Sequence, residues 1–164
     1  MQETIKKAEN SPLSTTDLLV LLSRERDFIG IFASDELSSI YVLIEPVFFI
    51  VNLDIAAQSG SHWISIRVGK TSVDIFDSLG FSYDLWSLYP EHLIRFLNRY
   101  KLSHRFNISP VLQQPNTYLC GLYCLYFIFY RQILSFTNCV RKFSLDLELN
   151  NRKLITLLLK HMTK

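Results

Sequence analysis

Cysteine is scarce in this chain. Only three of its 164 residues are cysteines, and the first of them is Cys120. A small, odd number of thiols cannot form the paired framework of a disulfide-rich secreted domain. The opening segment, MQETIKKAENSPLS, is polar and has no apolar centre of the kind found in secretory signals. We therefore expect an intracellular protein in a reducing compartment.

Long apolar runs are missing as well. The stretch 40–53 is interrupted by Glu45 and Pro46, and the stretch 119–136 is interrupted by Arg131. A membrane-spanning helix needs roughly 20 apolar residues in a row. The sequence therefore predicts no contact with a membrane.

Excess charge and clustered metal ligands are also lacking. The 17 basic and 15 acidic residues leave a net charge of +2, which is too small to require nucleic acid as a partner. The four histidines are scattered, and Cys120 and Cys124 form a single close pair. A structural metal site needs about four ligands, so we expect no metal ion.

Apolar residues, by contrast, are abundant. They make up 49% of the chain and include 12 Phe and 8 Tyr, which predicts a single domain with a dense core. Residues 1–12 are charged or turn-forming, so we expect a flexible arm there and a folded domain over residues 13–164. Apolar periodicity predicts helices near 14–22, 88–100 and 151–164, and strands or extended runs near 41–44, 47–53, 62–68, 71–77, 106–112 and 143–149.

Cys120 stands where a turn-rich run, QQPNT, gives way to an apolar segment that is long enough for a buried helix. The first turn of a helix offers unpaired N–H groups and the positive end of the helix dipole. Both stabilise a thiolate, which is the nucleophilic form of cysteine. Most free cysteines, however, are small buried core residues. The segment alone therefore allows Cys120 to be either a nucleophile or a core residue.

A second segment, GSHWISIRVGKTSVDIFDSLG, carries residues that could activate a thiol. Gly69 and Lys70 separate two alternating apolar runs, which indicates a two-residue β-hairpin. With the turn centred on this pair, His62 and Asp77 lie directly opposite each other, with Cβ atoms about 5 Å apart. A carboxylate in that position would orient the imidazole and favour its protonated form. Together with Cys120, these are the parts of a thiol hydrolase.

Two choices stay open at this point. His104 is a rival for the catalytic imidazole, although no carboxylate is predicted opposite it. A hydrolase also needs donors for the oxyanion, which the backbone N–H of Cys120 and an upstream side-chain amide can supply. Gln114 and Gln113 lie six and seven residues before the cysteine, and either could provide that amide.

Several segments resemble the adenovirus-type cysteine endopeptidases, the adenain family, which is related to the SUMO and ubiquitin-like protease superfamily. They are His62-Trp63 shortly after a glycine, the acidic residue of FDSLGFS, and QQPNTYLCGLYC. FIGIFASDEL and FFIVNLD extend the resemblance over about residues 28–129. The chain also keeps the family's order of histidine, acid, glutamine and cysteine.

The resemblance implies an α+β fold. The expected architecture is a single papain-like or adenain-like cysteine protease domain, with a central mixed or antiparallel sheet packed between helices. The nucleophile would lie at a helix N-terminus. In this interpretation Cys120 attacks the scissile carbonyl, His62 carries the proton, and Asp77 orients His62.

The resemblance also implies roles for residues around this triad. The pattern of the SUMO proteases favours Gln114 as the oxyanion donor, and the spacing in adenain favours Gln113 as the alternative. We choose Gln114. Trp63 and Asp35 are expected to border the substrate groove, although a helix cap with an acidic first turn is the simpler explanation of Asp35.

The function implied is that of a cysteine endopeptidase of the viral maturation type. Its substrates would be precursor structural proteins, such as capsid or core proteins, cleaved near glycine by a monomeric enzyme in the host nucleus or virion. The alternative is a protease that removes SUMO or ubiquitin-like modifiers. Those enzymes usually have Asp before the nucleophile, where this chain has Leu119. A third hypothesis is a binding domain that keeps the same scaffold but has no catalytic activity.

Such an enzyme requires no cofactor, but activators are conceivable. Adenain is activated by a peptide that is joined by a disulfide to a cysteine upstream of the catalytic turn. This chain has no cysteine before Cys120, so any activating peptide would bind without a covalent link. Adenain also depends on DNA, and DNA is suggested here by the basic residues of the last predicted helix, Arg152, Lys153, Lys160, His161 and Lys164. A solvated charged face explains the same residues.

Overall fold

A five-stranded sheet lies at the centre of the computed structural model, which describes residues 2–80 and 89–162. The strands are β1 (Phe28–Ala33), β2 (Val47–Asn52), β3 (Trp63–Val68), β4 (Ser72–Phe76) and β5 (Arg105–Ile108), and they lie side by side in that order. The outer pairs, β1–β2 and β4–β5, are parallel, whereas β2, β3 and β4 are antiparallel to one another. The sheet is therefore mixed.

Helices cover both faces of this sheet. They are α1 (Gln2–Ala8), α2 (Thr15–Leu22), α3 (Glu91–Asn98), α4 (Cys120–Arg131), α5 (Phe136–Val140) and α6 (Leu147–Met162), with a 3-10 helix at Ser34–Ser39. Alternate side chains of a strand point to opposite faces. In β2, Phe48 and Ile50 join a core with α1, α2, α4, α5 and α6, whereas Phe49 and Val51 join a second core with α3 and the 3-10 helix. The predicted α+β fold, with a sheet between helices, is confirmed.

Helix α4 is the most deeply buried helix that the structure describes. Every residue from Cys120 to Phe129 is buried. The Phe127 ring stacks on Phe76 of β4 with 4.5 Å between centroids, and the Tyr126 hydroxyl donates to the Cys139 carbonyl at 2.9 Å. A helix that is apolar on all sides is stable only inside a core.

No helix within residues 2–80 and 89–162 has both the length and the composition to cross a membrane.

Helix α2 begins as its sequence predicts. The Ser14 hydroxyl accepts the Asp17 N–H at 3.2 Å, and the Asp17 carboxylate accepts the Ser14 N–H at 2.9 Å. This reciprocal pair is a capping box, which satisfies two backbone donors that a helix start otherwise leaves open. The predicted start of α3 at residue 88, by contrast, lies outside the described residues.

The first 12 residues contain a helix where their charge predicts a flexible arm. In α1, Ile5 and Ala8 are fully buried in the core that also holds Leu18 of α2. Residues three apart lie on one face of a helix, so these two apolar side chains anchor the short helix in the core. The charged residues between them face solvent, which is why composition alone indicates an arm.

Two predicted strands are also wrong. Residues 41–44 form no strand, and Tyr41, Leu43 and Ile44 are 76–91% exposed. Apolar composition alone does not make a strand, because a strand also needs a partner, and the neighbouring strands pair with one another.

The run 143–149 leads into a helix instead of a strand. Helix α6 begins at Leu147, where Asp146 Oδ1 accepts the Leu149 N–H at 3.0 Å. Asn150 lies inside the helix and does not cap it. Its side chain accepts the Ser144 N–H at 2.8 Å and donates to the Leu112 carbonyl at 3.1 Å. Its amide therefore ties two loops to the helix, a role that a cap signal in the sequence cannot distinguish.

Candidate active site

Three predicted residues converge at one end of the sheet. Cys120 is the first residue of α4, His62 immediately precedes β3, and Asp77 immediately follows β4. Because β3 and β4 are antiparallel, the start of one and the end of the other meet at the same edge. Helix α4 packs against β3 with its N-terminus near that edge, which brings the thiol to the imidazole.

The hairpin that joins His62 to Asp77 has a different register from the predicted one. The pairs are Ser65 with Phe76 and Val68 with Val73, so the two-residue turn is centred on Lys70 and Thr71, one residue later than predicted. His62 and Asp77 are therefore diagonal neighbours and not directly opposite. Compared with the predicted register, the residue opposite any given position lies two places further along the partner strand. A shift of two residues keeps the same side chains on the same face. The predicted proximity survives for that reason.

The His62 imidazole lies between the carboxylate and the thiol. Its Nε2 is 2.7 Å from Asp77 Oδ1, and the Cys120 side chain lies close enough to favour the charged form of the ring. Since Nε2 faces the acid, Nδ1 is the nitrogen left for the sulfur. Burial opposes the charged ring, but the hydrogen bonds and negative charges of Asp77 and Cys120 outweigh it and raise the pKa of His62 to about 9. The ring is therefore an imidazolium at neutral pH.

Asp77 is buried and held from several sides. Its Oδ1 accepts the Leu79 N–H at 2.9 Å as well as His62, and its Oδ2 accepts the Tyr89 hydroxyl at 2.8 Å. Its backbone N–H and carbonyl both bind the Ser109 hydroxyl, at 2.9 and 2.7 Å. A buried carboxylate needs such partners to remain ionised. Tyr89 and Ser109 belong to this site, and no motif in the sequence singled them out.

Glycine is required where the chain enters the site. Gly60 has φ +85°, and a Cβ there would lie 2.1 Å from the Asn52 side-chain nitrogen. A side chain would therefore be both strained and blocked. Two residues later the His62 carbonyl accepts the Leu53 N–H at 3.1 Å, which holds the histidine against the end of β2.

The two candidate glutamines have different environments. Gln113 is 2% exposed, and its Oε1 accepts the Ser78 hydroxyl at 2.7 Å. Its Nε2 therefore points the other way, toward Thr117, whose carbonyl it contacts at 2.9 Å. Gln114, the residue we chose, is exposed. The alternative residue is thus the one inside the fold, because the turn before Cys120 directs consecutive side chains in opposite directions.

A cavity of about 580 Å³ opens beside Cys120. Trp63 lines it, as predicted for the substrate groove, and its indole N–H donates to the Leu13 carbonyl at 3.1 Å. Asp35 is not among the described lining residues, since its Oδ1 instead accepts the Ala56 N–H at 2.9 Å. The neighbouring Glu36 does line the cavity. So do residues 12–14 of the α1–α2 connection and Thr15 at the start of α2, none of which the sequence predicted for the groove.

His104 is excluded from this site by its position. The N–H of the next residue, Arg105, binds the Thr71 carbonyl at 2.9 Å, which places His104 beside the β3–β4 turn. Asp77 lies at the opposite end of β4, about 17 Å away for five extended residues. The His104 ring packs edge-on against Tyr100 and lies 3.8 Å from a Glu45 oxygen.

The other two thiols are core residues. Cys124 and Cys139 are buried, and burial raises the pKa of Cys124 well above its usual value and that of Cys139 to about 11. Both therefore stay protonated at neutral pH. The part of the chain that the structure describes contains no group of three or more His, Cys, Asp or Glu side chains able to hold a metal ion.

Comparison with known proteins identifies a matching family model and solved structures of similar fold. The family model described as adenovirus endoprotease matches residues 28–147, which include His62, Asp77 and Cys120. The crystal structure of the ASFV pS273R protease, in its selenomethionine form, is similar in fold, with a TM-score of 0.55 and 18% identity. That match covers 90% of this chain and 68% of the other. A search of curated proteins finds no match.

Proposed function

Because the chain belongs to the adenovirus endoprotease family and is a cysteine-type peptidase, we propose that it is an endopeptidase of viral maturation that uses Cys120, His62 and Asp77. The observation that carries this proposal is the position of the His62 imidazole between the Asp77 carboxylate and the Cys120 thiol at one edge of the sheet. Peptidases of this family need no cofactor, since a thiolate and an imidazole supply the nucleophile and the acid.

The proposed reaction starts from an ion pair. The Cys120 thiolate attacks the carbonyl carbon of the scissile bond, and the imidazolium of His62 donates its proton to the leaving amine as the C–N bond breaks. The neutral His62 then takes a proton from water, whose oxygen attacks the thioester and releases the second product and the thiolate. Asp77 keeps the ring oriented and stabilises its charged form through both steps.

The oxyanion that forms in each step needs hydrogen-bond donors. The N–H of Cys120 is in the first turn of α4, where backbone donors have no acceptor within the helix. For the side-chain donor we now favour Gln113, because it is buried and its amide nitrogen faces the loop before the nucleophile. Replacing Gln113 by Ala should lower kcat about 100-fold, and Gln114→Ala is the matched control.

We place the substrate in the cavity beside Cys120. The thiol is only 6% exposed, which supports a preference for glycine near the cleaved bond, since a larger side chain would keep the carbonyl away from the sulfur. The proposed substrates are precursors of viral capsid or core proteins, cleaved by a monomer in the host nucleus or in the virion.

Activation by DNA or a free peptide stays a weaker proposal. On α6, Arg152 is paired with Glu148, and the His161 ring stacks on Phe129 with 4.5 Å between centroids. Both residues therefore have partners within the protein. Peptide hydrolysis should be measured with and without DNA over a range of salt concentrations. A rate that ignores both would end this proposal, because phosphate contacts are strongly salt-dependent.

One experiment tests the function directly. The unmodified protein and Cys120→Ala should be incubated with candidate viral precursors, and the new termini should be mapped. Cleavage beside glycine by the unmodified protein alone supports the proposal. Cys139→Ala is the matched control, because it also removes one buried thiol. Fast turnover of a probe built on a modifier's C-terminus, without cleavage of short glycine-containing peptides, would instead indicate a protease of SUMO or ubiquitin-like conjugates.

A further inference from the structure

The two oxygens of the Asp77 carboxylate have different partners. Oδ1 accepts hydrogen bonds from His62 Nε2 at 2.7 Å and from the Leu79 N–H at 2.9 Å. Oδ2 accepts the phenol hydroxyl of Tyr89 at 2.8 Å. We propose that Tyr89 is a positioning residue for the catalytic histidine, because its hydroxyl holds the Asp77 carboxylate in the orientation that binds His62. This inference rests on the proposed roles of Asp77 and His62.

The carboxylate needs a support of this kind. Rotation about its Cβ–Cγ bond has a broad profile, so the bond itself does not fix the plane of the carboxylate. With Tyr89 on Oδ2, Oδ1 is held facing the imidazole. Without it, partial turns about this bond would lengthen the contact with His62. The hydroxyl of Tyr89 therefore acts on the ring through the acid.

A phenol suits this position because it donates without carrying charge. Burial, followed by the charge and hydrogen bond of Asp77, raises the pKa of Tyr89 above its usual value. The hydroxyl thus remains a neutral donor throughout the working pH range. A lysine or arginine there would compete with the imidazolium for the negative charge of Asp77. A neutral donor fixes the carboxylate and leaves its charge to His62.

Tyr89 is itself held in place by the fold. It stands directly before Pro90, the residue that precedes α3, and Leu93, Phe96 and Leu97 anchor that helix fully inside the second core. Its hydroxyl also contacts the Gly80 carbonyl at 3.3 Å. Gly80 ends the turn that begins at Asp77, since its N–H binds the Asp77 carbonyl at 3.1 Å. One hydroxyl therefore contacts both ends of the turn that carries the acid.

The test compares Tyr89→Phe with Tyr130→Phe. Tyr130 is a suitable control because its hydroxyl also makes a hydrogen bond, to the Leu157 carbonyl at 2.9 Å, but lies ten residues along α4 from Cys120. The pKa of His62 should be measured by NMR in both variants and in the unmodified protein, together with kcat and KM for a glycine-containing peptide. The NMR measurement needs no substrate, so it tests Tyr89 even if the protein cleaves nothing.

In Tyr89→Phe we expect the pKa of His62 to fall by about one unit and kcat to fall about tenfold, with KM unchanged. The groups that face His62 are Asp77 and Cys120, and only the contact with Asp77 is loosened. Tyr130→Phe should change none of these values. An unaltered pKa of His62 in folded Tyr89→Phe would overturn the proposal. A loss of kcat without a change in that pKa would overturn it too, because the damage would then not act through the ring.

Discussion

Two buried carboxylates lie three residues apart on one stretch of chain, and they meet opposite ends of α4. Asp77 faces His62 and, through it, the first residue of the helix, Cys120. Asp74 binds the last residue of the helix, Arg131, whose Nε lies 2.8 Å from Asp74 Oδ2. Both carboxylates are at most 2% exposed, so burial does not distinguish them.

Their partners do distinguish them. Asp74 is surrounded by Arg67 on β3, Asn107 on β5 and Arg131, and guanidinium groups stay protonated at any physiological pH. Asp77 is instead paired with an imidazole, which can lose and regain a proton in the neutral range. A buried carboxylate therefore joins helix and sheet when its partner keeps its charge, and can take part in catalysis when its partner titrates.

The sharpest test of this contrast replaces the imidazole beside Asp77 by a guanidinium group, which is the kind of partner that Asp74 has. His62→Arg retains a positive charge beside the acid but cannot transfer a proton. We expect kcat/KM for peptide hydrolysis to fall by at least about 10⁴-fold, since a residue of a catalytic triad acts only as part of the set. His62→Gln is the neutral control and should be equally inactive. Activity in the arginine variant would show that proton transfer does not pass through this position.

Removing one charge from each carboxylate should separate activity from stability. Asp77→Asn should lower kcat by about 10²- to 10⁴-fold, because the amide no longer stabilises the imidazolium. Its thermal unfolding temperature should fall less than that of Asp74→Asn, because His62 can lose its proton when the acid is removed, whereas an arginine cannot. The measurements are peptide hydrolysis and calorimetry on the same preparation, and a variant that keeps its rate would contradict the role assigned to Asp77.

Asp74→Asn should have the opposite profile. Breaking a buried ion pair while leaving its arginines in place costs about 3–5 kcal/mol of unfolding free energy. The folded fraction should still hydrolyse peptide, because Arg131 is at the far end of α4 from Cys120. Urea unfolding and active-site titration measure the two quantities. A loss of kcat per folded molecule would mean that the two carboxylates are coupled.

The dependence of activity on pH should follow the protonation of His62. The pKa of His62 is raised from 6.5 to about 9, so the imidazolium is complete below about pH 6.5 and is lost as the pH rises through 9. We expect kcat/KM to decline through that upper range as the general acid disappears. The Asp74 cluster contains no histidine, so far-UV circular dichroism should stay constant while activity falls. Activity that rises past pH 10 would contradict the ion pair.

Replacing a third carboxylate, Asp17, should have the smallest effect of the three. Its side chain is 22% exposed, and hydrogen bonds from Lys7 and Ser14 lower its pKa from 3.8 to about 2. Its contribution to stability is therefore present above pH 3.8 and is lost as the pH falls through about 2. Asp17→Asn should cost only about 0.5–1 kcal/mol at neutral pH, which urea unfolding can measure, and should leave kcat unchanged.

The sequence alone determined the parts that depend on local spacing. The run before Cys120 predicted a helix start, because turn residues followed by apolar residues favour that structure. His62 and Asp77 were expected together on one hairpin face, and the strand period of two preserved that result although the turn lies one residue later. Capping residues located α2 for the same local reason.

Only the tertiary structure decided the contacts between distant segments. It brought Cys120 to His62 by packing α4 across β3, buried Gln113 in place of Gln114, and formed part of the cavity wall from residues 12–15. It also brought the Tyr89 hydroxyl to the Asp77 carboxylate, a contact that no sequence motif predicts. Periodicity and capping depend on neighbours a few residues apart, whereas these contacts depend on how helices and strands pack, and packing is a property of the whole core.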